Sequence, residues 1–494
     1  VSDLGRWQTI SFASRMISKV IGMVPSILIP RILSVSDFGV VGIAKSLGKT
    51  FGVTQNLGLA SGSTREISNH LNTKEDIFKI FVTSVFIKYL LSFPMALALF
   101  LMADYLSVKY DNPALVIPLK IYSIVLVIQN VQSLFNSVVQ GMQRFKLLFT
   151  YQVAITIPNV LLFVTLVYLY GVNGYFYASL AFNTLASIVL GVLALWPLRH
   201  SFVMPSREDF KRIGKAVFVV SLAVYAAKII YTFWEGIGPL ILGQTINSGE
   251  IGYFVFAALY AGQLMAISDS ITDVNLSVFS KQYSMDSTQF KEVFMANFNK
   301  IYVLVLFIAS SAIYWSYEIT TLFYAEKYLP SLILIPPILS AFVFYSYINI
   351  AKSSIFVPAK LMRELVFSYL LILIGTVGFY IVLKQAFDPL MAMGIGMALG
   401  TVLSYISMNF FTMKKINLLL FNAKHVVLLL LAVLLALASG FSSSKVIEAF
   451  TTWYLLFPKF VLYLAFVALF YFLSAKVGFF DLTKLSLWKK IRNL

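Results

Sequence analysis

A charge near the centre of a lipid bilayer costs at least about 2.5–3.5 kcal/mol. The cations set in the most apolar stretches of this chain are therefore the first residues to explain. Arg15 and Lys19 fall in the first such stretch, with Gly22 and Ser26 following at helical spacing and Arg31 near its far end. The second stretch carries Lys45, Lys49, Gly52 and Asn56, whose steps of four, three and four residues put all four on one helical face. No acidic residue lies within either stretch. Snorkelling accounts for Arg31 alone, less easily for Lys45 with Lys49. These stripes fit a water-filled cavity that attracts an anion. The alternatives are pairing with a carboxylate elsewhere in the chain and a stretch whose ends lie elsewhere.

Further polar groups recur at helical steps. Gln129, Gln132, Asn136, Gln140 and Gln143 form one stripe. A single amide could stitch two helices together, whereas five on one face read as a wetted lining. Gln263, Ser270, Asp273 and Ser277 are in register, with Asp269 one turn before Asp273, and Asn349 and Lys352 lie farther on. Lys228, Tyr231 and Glu235 share a face, and Lys228, Glu235, Asp269 and Asp273 are the candidates for a charge network that couples transport to an ion. Lys88 reads as a snorkelling side chain. His70, His200 and His425 are far apart and suit solvated interfacial positions, and no cysteine is available for disulfides, thiolate chemistry or Cys-containing metal sites. The stretch Gly42 to Thr50 imitates a phosphate-binding loop, but five residues instead of four precede its Gly48-Lys49 pair, and no strand leads into it. Nucleotide binding and an autonomous ATP-driven pump are not expected. Gly396 and Gly400 have the spacing of closely packed membrane helices.

The elements that carry these residues follow from composition. Of 494 residues 59% are hydrophobic and 12% charged, and the mean hydropathy is +0.85. Soluble domains carry about 25% charged residues, so this chain is expected to be an all-α integral membrane protein. Spans need about 17 to 25 apolar residues. Fourteen such stretches are legible: 10–33, 38–60, 78–102, 114–139, 148–170, 174–196, 214–235, 251–278, 294–317, 328–351, 364–384, 389–412, 424–440 and 453–474. The first reads as a retained span, because no signal-peptide pattern precedes it. Gly171-Val172-Asn173-Gly174 suits a tight turn between the fifth and sixth. Connections on the amino-terminal side hold 23 basic residues, among them Arg65, Arg207, Lys281 and Lys414. The opposite side holds four, Lys109, Lys327, Lys384 and Lys445. That bias predicts both termini in the cytoplasm of a plasma-membrane protein. It also assigns the net charge of +17 to topology rather than to nucleic acid.

The run Arg31-Ile-Leu-Ser-Val-Ser-Asp-Phe-Gly39, then Asn56-Leu-Gly-Leu59 and Arg65, resembles the opening of the polysaccharide transporter family. That family belongs to the multidrug/oligosaccharidyl-lipid/polysaccharide exporter superfamily. Leu240-Ile-Leu-Gly243, Ile251-Gly-Tyr-Phe254 and Leu322-Phe-Tyr-Ala-Glu-Lys-Tyr328 extend the likeness over essentially the whole chain. The resemblance implies two pseudo-symmetric six-helix lobes around a V-shaped central cavity, with two further helices. Here these are 1–198 (spans one to six), 199–413 (spans seven to twelve) and 414–494 (spans thirteen and fourteen with a basic tail).

It further implies a flippase that moves a polyprenyl-diphosphate-linked oligosaccharide from the inner to the outer leaflet by alternating access. Arg15, Lys19, Arg31, Lys45 and Lys49 stand where related flippases contact the diphosphate. The cavity lining expected is Asn56, Gln129, Gln132, Asn136, Gln140, Gln263, Asn349 and Lys352. Glu235 is offset by several residues from Leu242-Gly243, where many relatives carry an acidic residue. No cofactor is expected, and coupling is to protons, sodium ions or the membrane potential. Partners are the lipid-linked glycan, the bilayer and membrane enzymes of glycan assembly, whereas oligomeric state leaves no mark in the sequence. Two other classes compete. A cation-coupled multidrug or small-molecule exporter favours a more acidic or apolar cavity, and a membrane glycosyltransferase or polymerase needs carboxylates and large catalytic loops on one face.

Overall fold

A computed structural model describes residues 18, 20–53, 59–70, 73–219, 222–265, 268–269, 287–446, 456–476 and 478–479. Arg15, Lys19, Asn56, Asp273 and the connection at Lys281 lie outside the described residues. The protein is an all-α, multi-span membrane protein. Eight described helices are long and apolar enough to cross a bilayer, and Val20–Ile32 (α1) and Ala423–Leu435 are shorter apolar helices. The chain divides into two compact units, Val1–Phe256 and Ala257–Leu494.

In the first unit, α2 is Val35–Phe51, α3 Leu59–Asn69, α4 Lys74–Lys109, α5 Val116–Gly141, α6 Phe145–Leu195, α7 Arg207–Val219 and α8 Leu222–Leu242. α9, Ser248–Gly262, begins there. Ser34 caps α2, its hydroxyl accepting the Asp37 N–H and donating to the Asp37 carboxylate. α6 is broken at Gly171, where φ is 56° and ψ −129°, a backbone that glycine adopts without penalty. Its arms, 145–170 and 172–195, are each long enough to span, as the expected turn requires. Gly174 completes that turn, since a Cβ there would lie 1.9 Å from the Leu166 carbonyl oxygen. Apolar residues of α3, α4, α5, α6 and α7, including Ile67, Phe78, Phe81, Leu134, Leu148 and Val217, form one buried cluster. Stacked rings reinforce it, Phe81 on Phe135 at 5.4 Å between centroids.

The second unit contains α10 (Ser287–Tyr314), α11 (Ile335–Ala351), α12 (Met362–Leu383), α13 (Pro389–Ile416), α14 (Ala423–Val446) and α15 (Leu456–Lys476). Phe290, Phe294, Phe298 and Tyr302 stack at steps of four residues along α10. Tyr347 and His425 close on that ladder. His425 is fully buried rather than solvated, with Nδ1 2.8 Å from Asn422 Oδ1 and Nε2 3.2 Å from Asn299 Oδ1. Gly396 and Gly400 of α13 let α12 approach closely. A Cβ on Gly400 would meet Thr376 Oγ1 at 2.6 Å and the Ile372 carbonyl at 2.7 Å.

Candidate functional site

The centre of the first unit is organised by α2, whose residues serve two neighbouring surfaces. One surface, Gly39, Gly42, Ser46, Lys49 and Val53, follows steps of three, four, three and four residues. Each member meets α8 or α9. A Cβ on Gly39 would lie 1.9 Å from the Ser248 carbonyl oxygen, and one on Gly252 would lie 2.0 Å from that of Val35. These two glycines bring the backbones of α2 and α9 into contact, and Ser36 Oγ and Ser248 Oγ lie 2.7 Å apart beside them. Gly42 faces Val255, and Gly236 of α8 sits against Ser46. Lys49 Nζ then pairs with Glu235 Oε1 at 2.9 Å. Beyond it, the Tyr225 hydroxyl donates to the Val53 carbonyl at 2.9 Å.

The second surface of α2 carries Lys45 and Gly48. A Cβ on Gly48 would fall 2.3 Å from the Tyr122 ring, so glycine is what allows that ring of α5 to lie on the helix. Lys45 Nζ stands 5.5 Å from the Tyr175 ring centroid, in reach of its hydroxyl, on the second arm of α6. Tyr122, Phe176, Tyr175 and Phe163 continue as edge-packed rings. The result is two ammonium groups, one carboxylate and two phenols gathered from α2, α5, α6 and α8. The side chains of Lys49 and Glu235 keep 34% and 33% of their surface exposed.

Of the sequence candidates, the structure brings Lys45, Lys49 and Glu235 together. The carboxylate that the cationic stripe lacked within its own helices comes from α8. Arg31 lies exposed near the end of α1. Gln129 donates to Asn183 Oδ1 of α6 at 3.2 Å, and Gln132 neighbours the Tyr151 hydroxyl. Asn136 is half-buried, and Gln140 is exposed at the last turn of α5. Lys228 is exposed, with Nζ 5.3 Å from the Tyr231 ring centroid. In the second unit Asn349 donates to Asp269 Oδ1 at 3.1 Å, Gln263, just past the end of α9, donates to the Leu259 carbonyl, and Lys352 opens the π-helical turn Lys352–Phe356.

Sequence reasoning missed two features. Tyr122 and Tyr175 stand beside Lys45, and their contact is set by the turn at Gly171, which no periodicity reveals. Lys88 does not snorkel. It is 1% exposed in α4, and its Nζ donates to Ser133 Oγ of α5. Ser92 nearby accepts from Asn130 Nδ2 at 2.6 Å, and Ser63 of α3 bonds Ser84 at 2.7 Å. Ser133 supplies the buried amine with a bond where lipid and water cannot.

Residues 28–333 match the model of a family described as polysaccharide biosynthesis protein. The chain belongs to that family. No curated protein sequence matches this family member. Its fold is similar to those of solved membrane transporters. An inward-facing multidrug resistance MATE family transporter matches 83% of this chain and 98% of its own, at 14% identity and TM-score 0.69. The lipid II flippase MurJ, in an inward closed conformation, matches 94% of this chain and 98% of its own, at 14% identity and TM-score 0.66. A MATE in complex with MaD5 matches 83% of this chain at 15% identity and TM-score 0.58. These structural relatives are transporters rather than enzymes. Among the described residues no group of three or more His, Asp or Glu could hold a metal ion.

Proposed function

We propose that this polysaccharide biosynthesis family member moves a membrane-embedded substrate across the bilayer by alternating access. Its substrate on this reading is a polyprenyl-diphosphate-linked oligosaccharide, carried from the inner to the outer leaflet. The observation that carries the proposal is the cluster of Lys45, Lys49 and Glu235, partly exposed at the Lys49–Glu235 pair, on helices that the apolar composition assigns to the membrane. Two ammonium groups against one carboxylate leave a positive site, and a diphosphate can take Lys49 from Glu235. Phenols at Tyr122 and Tyr175 offer hydroxyls and ring faces to the first sugar. Arg15, Lys19 and Arg31 belong to the same headgroup site, and Asn56, Gln129, Gln132, Asn136 and Gln140 to the sugar path. Family membership supports the glycan. On this reading the chain has fourteen spans in lobes 1–198 and 199–413 with a separate pair in 414–494.

A second reading has its own observation. Glu235 gives an organic cation a partner, and the MATE likeness fits a cation-coupled exporter of drugs or small molecules. On either reading Lys228, Glu235, Asp269 and Asp273 are the residues through which protons or sodium ions couple. A dianion leaving an inside-negative cell also gains roughly 4.6 kcal/mol per 100 mV if it crosses the full potential uncompensated. The deciding experiment is reconstitution into proteoliposomes. Flipping of a polyprenyl-diphosphate glycan that is lost in Lys45→Ala with Lys49→Ala, at equal incorporation, supports the first reading. Efflux of organic cations without glycan flipping supports the second and removes the first.

A further inference from the structure

The second unit holds a separate site at the end of α10. After Tyr314 the chain makes a short helical turn, Ser316–Ile319, and then a π-helical turn, Thr320–Tyr324. Ala325 follows with φ 120° and ψ 156°, a backbone essentially confined to glycine. Both π turns and such strained residues gather at functional positions. Beside them is a cavity of about 400 Å³ whose walls include Ile308, Ser311, Ala312, Trp315, Glu318 and Leu322.

Glu318 is the acidic group in that wall, and only half of its carboxylate is engaged. Oε1 accepts from Lys459 Nζ of α15 at 2.6 Å. The lysine is held with its side chain 10% exposed, 5.1 Å from the Tyr314 ring centroid and 5.2 Å from that of Trp315. Oε2 is buried and receives no hydrogen bond among the described residues. A buried carboxylate oxygen left in that state is costly, and a charged donor satisfies it best. Ser311 is already bonded to the Tyr463 hydroxyl at 2.8 Å. An occupant of the cavity, whose wall includes Glu318, can supply such a donor.

The rim identifies the occupant's other end. Leu322 and Phe323 are 68% and 45% exposed, and a surface of that kind on a spanning protein faces lipid tails. Tyr314, Trp315 and Tyr463 surround the pair, the aromatic company usual at the headgroup level. We propose that this cavity binds the primary ammonium of phosphatidylethanolamine. The ammonium donates to Glu318 Oε2 while the acyl chains lie over Leu322 and Phe323. A choline headgroup has no N–H to donate. An anionic headgroup is repelled by the Glu318 carboxylate, and Lys459 is already held by Glu318 and two rings.

The test uses the full chain in nanodiscs of phosphatidylethanolamine, phosphatidylcholine and phosphatidylglycerol in equal parts, with retained lipid read by native mass spectrometry. One charge-assisted hydrogen bond corresponds to roughly tenfold enrichment of the ethanolamine lipid over the choline lipid. Glu318→Leu with Lys459→Met removes both charges together, and Ala312→Phe fills the cavity while leaving the ion pair intact. Either change abolishes the enrichment if the site is as described, and Ala312→Phe decides alone if the double variant does not accumulate. Equal retention of the three lipids by the unaltered protein overturns the proposal. So does an enrichment that survives Ala312→Phe.

Discussion

Glu235→Gln separates an anion site from a cation site. At 2.9 Å and an effective dielectric constant of about 20, the gross attraction between Lys49 and Glu235 is roughly 6 kcal/mol. One-third exposure of each side chain allows water and ions to screen it, and exposed pairs of this kind retain up to about 1 kcal/mol net. An anion that takes Lys49 must first displace Glu235. Neutralising the carboxylate should therefore tighten binding of inorganic diphosphate or a short polyprenyl diphosphate by roughly five- to tenfold. Isothermal titration of the purified protein at low and high salt measures this directly. Lys49→Gln should weaken binding, and the double variant should behave like Lys49→Gln, because Glu235 acts through Lys49. No tightening in Glu235→Gln refutes the competition. Tightening that persists without Lys49 refutes the pairing as its cause. An organic cation has the opposite expectation, weaker binding in Glu235→Gln.

Other perturbations test the surroundings. Gly39→Ala places a methyl group against the Ser248 carbonyl and should cost roughly 1–3 kcal/mol, read as a lowered Tm. Gly378→Ala meets nothing within 4 Å and should be neutral or stabilising by up to about 1 kcal/mol. Ser133→Ala leaves the Lys88 amine without its partner and should cost about 1–3 kcal/mol, largely recovered by adding Lys88→Met. Hydrogen bonds from Lys79 and Ser206 hold the Asp209 carboxyl below its ordinary range. The stability this contributes is complete above the unfolded value of about 3.9 and is lost as pH falls through the lower folded value. Asp209→Asn should therefore lower Tm at pH 7, with the difference closing on acidification. A single cysteine at position 207 should resist an impermeant thiol reagent applied outside intact cells if Arg207 is cytoplasmic.

The α2 stripe shows how far the sequence could be read. Steps of three and four residues reveal that Lys45 and Lys49 share a broad face, because the helical repeat alone fixes that. They do not reveal that Glu235, nearly two hundred positions later, supplies the counter-charge. That pairing depends on α8 lying along α2, where Gly236 of α8 sits against Ser46, a contact invisible until the neighbours are known. Gly171 is the converse case. Its place between two apolar runs beside Asn173 made the turn legible, and the backbone there has the positive φ that glycine accommodates. The glutamine stripe of α5 is legible as a face, yet its use is divided. Gln129 is spent on Asn183 of α6, so a regular polar stripe does not distinguish helix stitching from a wetted lining. Lys88 was misread because snorkelling assumes that water is the nearest polar partner. Ser133 is nearer, and a serine three-dimensionally adjacent leaves no mark in the local sequence.

The position of the ion pair along α2 also bears on movement. On one side of it the backbones of α2 and α9 touch through Gly39 and Gly252, and on the other Tyr225 bonds the Val53 carbonyl. The glycine contact has no charge to exchange and no side chain to rearrange, so it acts as a fixed point for as long as it stays closed. The tyrosine bond is worth about 1 kcal/mol net. The ion pair is worth up to about another. A ligand needs only a differential affinity of that size to shift α2 and α8 between two arrangements. On the proposed reading, displacing Glu235 from Lys49 supplies it. If so, the Tyr225→Phe variant should loosen α2 from α8 without touching the headgroup site. Hydrogen exchange should then rise at 46–53 in the absence of substrate, while diphosphate affinity stays within about twofold of the unaltered protein. Unchanged exchange there would mean that packing, not the polar ties, holds the two helices together.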